Sequence, residues 1–316
     1  MPSSAESRSL AQSEFERARR HADLERLAGR ITGREFQLLP FDTIRRNLRQ
    51  QSPLFRGLHE VPLERIVGSV GRYGEMTREF LPLNDALKDR WVKMAELAHS
   101  DQGWPPVDLY RVGNAYFVRD GNHRVSAARQ LRFPTIEANV WEFPDDIEID
   151  PKDRLDEVLN RFRERDFLDQ TGLRNHPGYD IQFTTCGRYP ELQAQIEEMR
   201  QKLAVIDERE VSFSEAAAAW YDLVYLPTVQ VIRDSGLLAA FPGRTEADLF
   251  AWMSLHRENL RHMYGDFDNL SELARLLMHH YRERLPSRMT RRVRRLLGSD
   301  ELPPLAGLEA PGEEEE

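Results

Sequence analysis

The chain has 316 residues, is 40% hydrophobic and 31% charged, and carries a net charge of −9. That describes a soluble globular protein with room for two domains; the acidic balance argues against wholesale nucleic-acid coating but leaves room for a local basic patch. No apolar run approaches the ~18 residues of a membrane span, Met1-Pro-Ser-Ser-Ala-Glu lacks the apolar core of a signal peptide, and the single cysteine, Cys186, excludes a disulfide framework and a multi-thiolate metal site, so a reducing cytoplasm is the expected compartment.

Residues 1–50 read as a helical arm. Helical spacing runs from Ser13 to Ile31, with Phe15, Ala18, Ala22, Leu24, Leu27 and Ile31 as its apolar face. Arginines are frequent there, so the arm either packs on the next domain or touches nucleic acid. Gly33 stops it, and Pro40-Phe41-Asp42 starts a second helix through Ile44 and Leu48. Val61 to Val67 reads as a short strand or strand-turn. A loop punctuated by Gly68, Gly71 and Gly74 follows, carrying Arg72, Tyr73 and Arg78. Asp85 to His99 reads as a helix whose apolar side is Leu87, Trp91, Met94, Leu97 and Ala98.

Val107 to Val112 alternates as a strand does. Gly113-Asn114 forms a two-residue hairpin turn, both positions tolerating positive φ, and Ala115 to Arg119 is the return strand. Asp120-Gly121 then breaks the strand, and a helix begins at Asn122 with Val125, Ala128 and Leu131 on one face. Such a strand–glycine–helix turn leaves backbone N–H groups unpaired at the helix start and aims the positive end of the helix dipole forward. With His123 and Arg124 in the first turn, this is the layout of an anion site, above all a phosphate site. Thr135 to Phe143 reads as a closing strand.

Beyond Pro144-Asp145-Asp146 the pattern turns helical. Helices are expected over Lys152–Phe167 and Glu191–Asp207. Another, capped by Ser212 or Ser214, runs through Trp220 to Pro227 or past it, ending near Gly236. Thr245, with acids in the following turn, starts a helix running to Gly265. A last helix spans Ser271 to about Leu297, interrupted at Pro286. Trp220, Tyr221, Tyr225, Phe250 and Trp252 sit at helical spacings that suit a core. The adjacent His279-His280 point about 100° apart on a helix and do not suit a metal pair. Arg282 to Arg295 holds seven arginines and one acid, which suits either phosphate backbones or the acidic tail that ends the chain at Glu313–Glu316.

Residues 57–143 resemble the ParB N-terminal/sulfiredoxin superfamily of nucleotide-binding domains. The resemblance rests on Val61-Pro62-Leu63 with Ile66, Arg78 with Phe80, the strand Tyr116–Val118, and above all Asp120-Gly-Asn-His-Arg-Val-Ser-Ala-Ala128. The whole chain is also similar to bacterial proteins described only as ParB-domain-containing or of unknown function. The expected fold is therefore α+β. A small ParB/sulfiredoxin-like α+β nucleotide-binding domain (51–146) follows the arm, a mostly α-helical domain (147–298) comes next, and a disordered acidic tail (299–316) ends the chain.

The resemblance implies a pocket for a nucleoside triphosphate, CTP or ATP, with magnesium. Carried onto these residues, Gly121 makes the turn and admits the phosphate, and Arg124 supplies a planar fork. His123 adds a donor or water contact, and Asn122 caps the helix or adds a donor. Ser126 is a helper one turn in, Arg78 closes over the phosphates, and Asp120 holds His123 or the magnesium. The departures are equally informative. Sulfiredoxins carry a catalytic cysteine where Asn122 stands, so thiol chemistry is excluded. Partition proteins carry an arginine where His123 stands and follow the domain with a helix-turn-helix. Here only Leu273–Leu277 with Ser287–Leu297 offers a vague likeness. A serine-kinase branch uses a glutamate base near the start of the domain, where Glu60 and Glu64 are the candidates. The leading expectation is a nucleotide-responsive, DNA-associated regulator, with DNA met through 282–295. An NTP-hydrolysing enzyme or small-molecule kinase is the second, and an interaction module that has lost nucleotide the third. Relatives of this type often dimerise, so a homodimer is the implied assembly.

Overall fold

The computed structural model describes residues 4–32, 36–49, 52–98, 103–184, 187–241, 243–264 and 266–283. Cys186, the acidic tail, Ser287–Leu297 and nearly all of the arginine-rich 282–295 stretch lie outside them, as do the side chains of His279 and His280. The chain is α+β and divides into two compact units, Met1–Val158 and Leu159–Glu316. Among the described residues no helix is long and apolar enough to cross a membrane.

The first unit is built on a mixed sheet of six strands: β1 (Leu39–Pro40), β2 (Leu54–Pro62), β3 (Ile66–Ser69), β4 (Val107–Val112), β5 (Ala115–Asp120) and β6 (Thr135–Glu142). Their order across the sheet is β1-β3-β5-β4-β6-β2. The β4–β5 hairpin lies near the middle, with Val112 opposite Ala115 across the Gly113-Asn114 turn. β3 runs parallel to β5 and β6 parallel to β4, whereas β2 pairs antiparallel with β6 at one edge. The strand or strand-turn expected over Val61–Val67 is the end of β2 at Pro62, a 3₁₀ turn, Leu63–Arg65, and the start of β3 at Ile66. Gly68 belongs to β3 rather than to a loop. A Cβ there would lie 2.4 Å from both the Leu39 carbonyl oxygen and the Phe117 ring, so only glycine lets β1 and β5 close on β3.

Among the described residues this unit holds the helices α1 (Ser4–Thr32), α2 (Phe41–Arg45), α3 (Lys88–Ala98) and α4 (Asn122–Gln130). Trp91, Val92 and Ala95 of α3 join Val125, Ala127 and Ala128 of α4 and the sheet residues Val107, Leu109, Val118, Ala138 and Val140 in one core. Met94, Leu97 and Ala98, expected on the apolar side of α3, are only half-buried. The helix is rotated so that the small Ala95 faces inward against α4. α1 belongs with this sheet. Ala11, Phe15, Ala18 and Ala22 form its buried stripe, and Phe15 meets Trp91 edge-on at 5.7 Å. The expected continuation of that stripe fails: Leu24, Leu27 and Ile31 are 63, 55 and 65% exposed. The inward position one turn beyond Ala22 is Glu25, whose carboxyl is pushed up by burial and hydrogen-bonds Thr77. Phe41, Tyr110, Phe117 and Phe143 form a separate ring cluster, in which Phe41 stacks on Tyr110 at 4.8 Å.

The helix α5 (Leu155–Thr171) crosses the boundary at Val158. The second unit continues with α6 (Tyr189–Ile206), α7 (Phe213–Trp220), α8 (Leu226–Ser235), α9 (Glu246–Leu255), α10 (Arg257–Tyr264) and α11 (Leu270–Glu283). A π turn, Tyr221–Tyr225, joins α7 to α8, with the Leu226 N–H reaching back to Tyr221 O. Pro227, which has no N–H to give, sits just past it, and the widened turn absorbs that defect. Trp220, Tyr221, Tyr225, Phe250 and Trp252 are buried as their spacing suggests. The helix expected from Thr245 to Gly265 is broken at His256, where φ is −101° and ψ 15°.

Candidate functional site

β5 delivers Asp120 to the end of the sheet, and Gly121 turns the chain into α4 with φ +109°. Its glycine is required twice, since a Cβ there would also sit 2.6 Å from Val107 Cγ1. Gly121 provides no side-chain cap, so the first-turn N–H groups of α4 are left to another partner.

The side chains around this turn divide into two sets. In the first set, the side chains are already engaged by the protein. Arg124, only 12% exposed, donates through Nη1 to Pro105 O and Pro106 O, both at 2.7 Å, and through Nη2 to Asp120 Oδ2. The expected free phosphate fork is therefore a strut pinning the 105–106 loop. Ser126 is fully buried, accepts from Trp91 Nε1 at 2.8 Å and donates to Phe80 O at 2.6 Å, which makes it a core link between α3 and α4. Arg78 donates to Pro151 O at 3.0 Å and Asp153 O at 2.7 Å, which fastens the segment after β6 and leaves the expected closure over phosphates without its arginine. Asp120, expected at His123 or a magnesium ion, pairs with Arg124 instead. Among the described residues no three His, Cys, Asp or Glu side chains gather as a metal site. The residues present thus bring magnesium no cluster of three such ligands.

The second set is unspent. Asn122 is nine-tenths buried and its Oδ1 has no hydrogen-bond partner. His123 is half-buried, and both ring nitrogens are enclosed without a partner. Burial pushes its pKa down, Arg72 and Arg90 push the same way, and Glu75 opposes them. The ring is therefore a neutral imidazole offering one donor and one acceptor. Glu75 Oε2 is likewise enclosed and unpartnered, while Oε1 takes Arg72 Nε at 3.1 Å. Two exposed cations and one carboxylate thus act on the neutral imidazole at this helix N-terminus, beside unsatisfied buried atoms of Asn122 and His123. Buried polar atoms without partners cost roughly 1–3 kcal/mol each, so a ligand or ordered water that satisfied them would be stabilised here.

The candidate glutamates lie elsewhere. Glu60 is exposed on edge strand β2, opposite Glu137, and β2 is the third strand from β5. At about 4.8 Å per strand that is ~14 Å from Asp120, far beyond proton-transfer reach. Glu64 is exposed in the 3₁₀ turn Leu63–Arg65, at the other end of α4. There Arg129 donates to Leu63 O at 2.7 Å and Ile66 O at 2.9 Å, about 10 Å along the helix from Asn122 at 1.5 Å per residue. Neither acid is brought to the α4 turn.

Three residues of this region escape the sequence reading. Arg72 was visible only as one of several arginines in a glycine-punctuated loop. Arg90 gives no signal on the charged side of α3. Arg129 directly follows the Ala-Ala pair, yet nothing in the sequence marks it as a buried clamp that also lies over Phe80 at 5.1 Å. No protein-family model, curated protein or solved structure matches this chain.

Proposed function

We propose that the first unit binds a phosphate-bearing ligand, a nucleoside triphosphate such as CTP or ATP, at the first turn of α4. On this reading the domain is of the ParB/sulfiredoxin type, and the protein is a nucleotide-responsive binding protein. The observation that carries it is the gathering of enclosed, unpartnered atoms of Asn122 and His123 at a helix N-terminus, where the charges of Arg72 and Arg90 act on His123. The groups that touch phosphate are the α4 N–H groups, His123, Arg72 and Arg90. Gly121 admits the approach, and Arg124 and Arg129 hold the scaffold. Magnesium, where it accompanies the triphosphate, would neutralise phosphate charge, with Asp120 as the carboxylate of the turn that would hold it.

The positions of Glu60 and Glu64 favour binding over phosphoryl transfer, because neither stands where a general base must. The regulatory output, contact with DNA through 282–295 or with a second copy of the chain, rests on the arginine pattern alone.

Equilibrium binding of CTP and ATP to the full chain tests the proposal, with His123→Ala and Arg90→Ala beside wild type. Saturable binding weakened at least tenfold by either substitution is expected. Absence of saturable binding to both nucleotides overturns the proposal.

A further inference from the structure

The niche has a feature that a plain phosphate site would not need. Glu75 presents an enclosed, unpartnered carboxylate oxygen beside Arg72, one of the cations that would hold the anion, and acts on His123. Its other oxygen accepts from Arg72 Nε at 3.1 Å. A carboxylate is an acceptor only. Next to a bare phosphate it would repel, and its oxygen would remain unsatisfied. Asn122 Oδ1, on a residue nine-tenths buried, is a second enclosed acceptor without a partner.

Resting on the phosphate reading above, we infer that the ligand carries hydroxyl donors beside its phosphate, as a ribosyl phosphate does, and that Glu75 is the residue that reads them. A hydroxyl donating to Glu75 Oε2 satisfies the buried oxygen and separates the carboxylate from the phosphate oxygens. The phosphate itself lies toward the α4 N–H groups, Arg72 and Arg90. The second hydroxyl of a ribose diol suits Asn122. Glu75 thereby turns a general anion site into one that disfavours inorganic phosphates and ligands lacking hydroxyls. Specificity arises from the cost of leaving a buried acceptor unpaired, which is where hydrogen-bonding sites discriminate most strongly.

The test measures affinity of the full chain for ATP and CTP, their 2′,3′-dideoxy counterparts, inorganic tripolyphosphate and ribose 5-phosphate, in wild type and Glu75→Gln. Wild type is expected to prefer the ribonucleotides over both the dideoxy forms and tripolyphosphate by about tenfold or more, the scale of one hydrogen bond to a charged group. In Glu75→Gln, Arg72 claims the amide oxygen and an amide donor replaces the acceptor, so the preference should collapse toward one while tripolyphosphate binding strengthens. Equal wild-type affinity for ribonucleotide and dideoxynucleotide overturns the inference while leaving the phosphate reading standing; because it uses unmodified protein, that comparison does not depend on how the variant folds. Absence of binding to every phosphate compound removes both. Ribose 5-phosphate decides the source. Binding close to that of the nucleotides points to a sugar phosphate, and weak binding beside tight nucleotide binding points to a nucleotide, either result upholding the hydroxyl requirement.

Discussion

Two helix starts in this protein solve the same problem in opposite ways. At α9 the chain satisfies itself. Thr245 caps the helix, Asp248 returns the bond to the Thr245 N–H at 3.0 Å, and the fully buried Asp248 carboxylate also takes Thr184 N at 3.1 Å and Thr184 Oγ1 at 2.6 Å. At α4 the cap is a left-handed glycine with no side chain, and the next two residues hold buried polar atoms that nothing in the described chain satisfies. A helix whose only task is to fold is closed by its own capping box. One left open, with cations placed before it, is suited to receive an anion from outside.

The sharpest ways to break this contrast act on the two caps themselves. Gly121→Ala should cost ~3 kcal/mol, because it combines left-handed strain with a Cβ 2.6 Å from Val107 Cγ1. Chemical denaturation followed by far-ultraviolet circular dichroism reads this, and a loss below ~1 kcal/mol would show that the turn relaxes easily. Asp248→Ala should cost about 2–3 kcal/mol, since the substitution strands Thr184 and opens the α9 cap. Hydrogen exchange should locate the lost protection in the first turn of α9.

Arg124→Ala is expected to remove ~2 kcal/mol of stability by freeing the Pro105 and Pro106 carbonyls, so its effect on ligand affinity follows from a loosened turn. If the variant keeps full stability yet loses binding, Arg124 is a direct ligand group after all. Asn122→Ala should change stability by less than ~0.5 kcal/mol, because the group removed has an unmet bond, while lowering ribonucleotide affinity severalfold. Calorimetric titration beside a thermal melt separates the two effects.

The smallest effect is on pH dependence. Burial first, and Arg72 next, hold His123 below its ordinary value of 6.5. As pH falls through that value the unfolded chain takes up a proton that the folded chain refuses. Stability is therefore full above about 6.5 and declines below it, levelling only once the folded-state value is passed. His123→Leu should abolish this slope, measurable as the pH dependence of the unfolding midpoint; an unchanged slope would assign it to another group.

The hairpin β4–β5, the Gly121 turn and the start of α4 were legible because each depends on neighbours in sequence: a Gly-Asn turn, alternating strands, a glycine before a helical pattern. The same holds for Ser212 and Thr245, whose capping boxes close within three residues. Side-chain roles were less legible. Arg124 looks like a phosphate fork from its own segment, yet its partners lie at Pro105 and Pro106. In α1 spacing alone carries the apolar stripe on to Leu24, Leu27 and Ile31, because spacing records which residues could share a face. It does not record where the covering layer stops.

What the sequence determined by itself is the turn: strand, left-handed glycine, helix, with Asn122, His123 and Arg124 in its first turn, all set by local backbone preference. Only the tertiary structure decided which of those side chains is spent and which is open. The partners that consume Arg124, Ser126 and Arg78 stand 19, 46 and 75 residues away. The charges that bear on His123 come from Arg72, Glu75 and Arg90, on other segments of the unit. Hydrogen-bond satisfaction is a property of atoms brought together by packing, and local sequence carries no record of it.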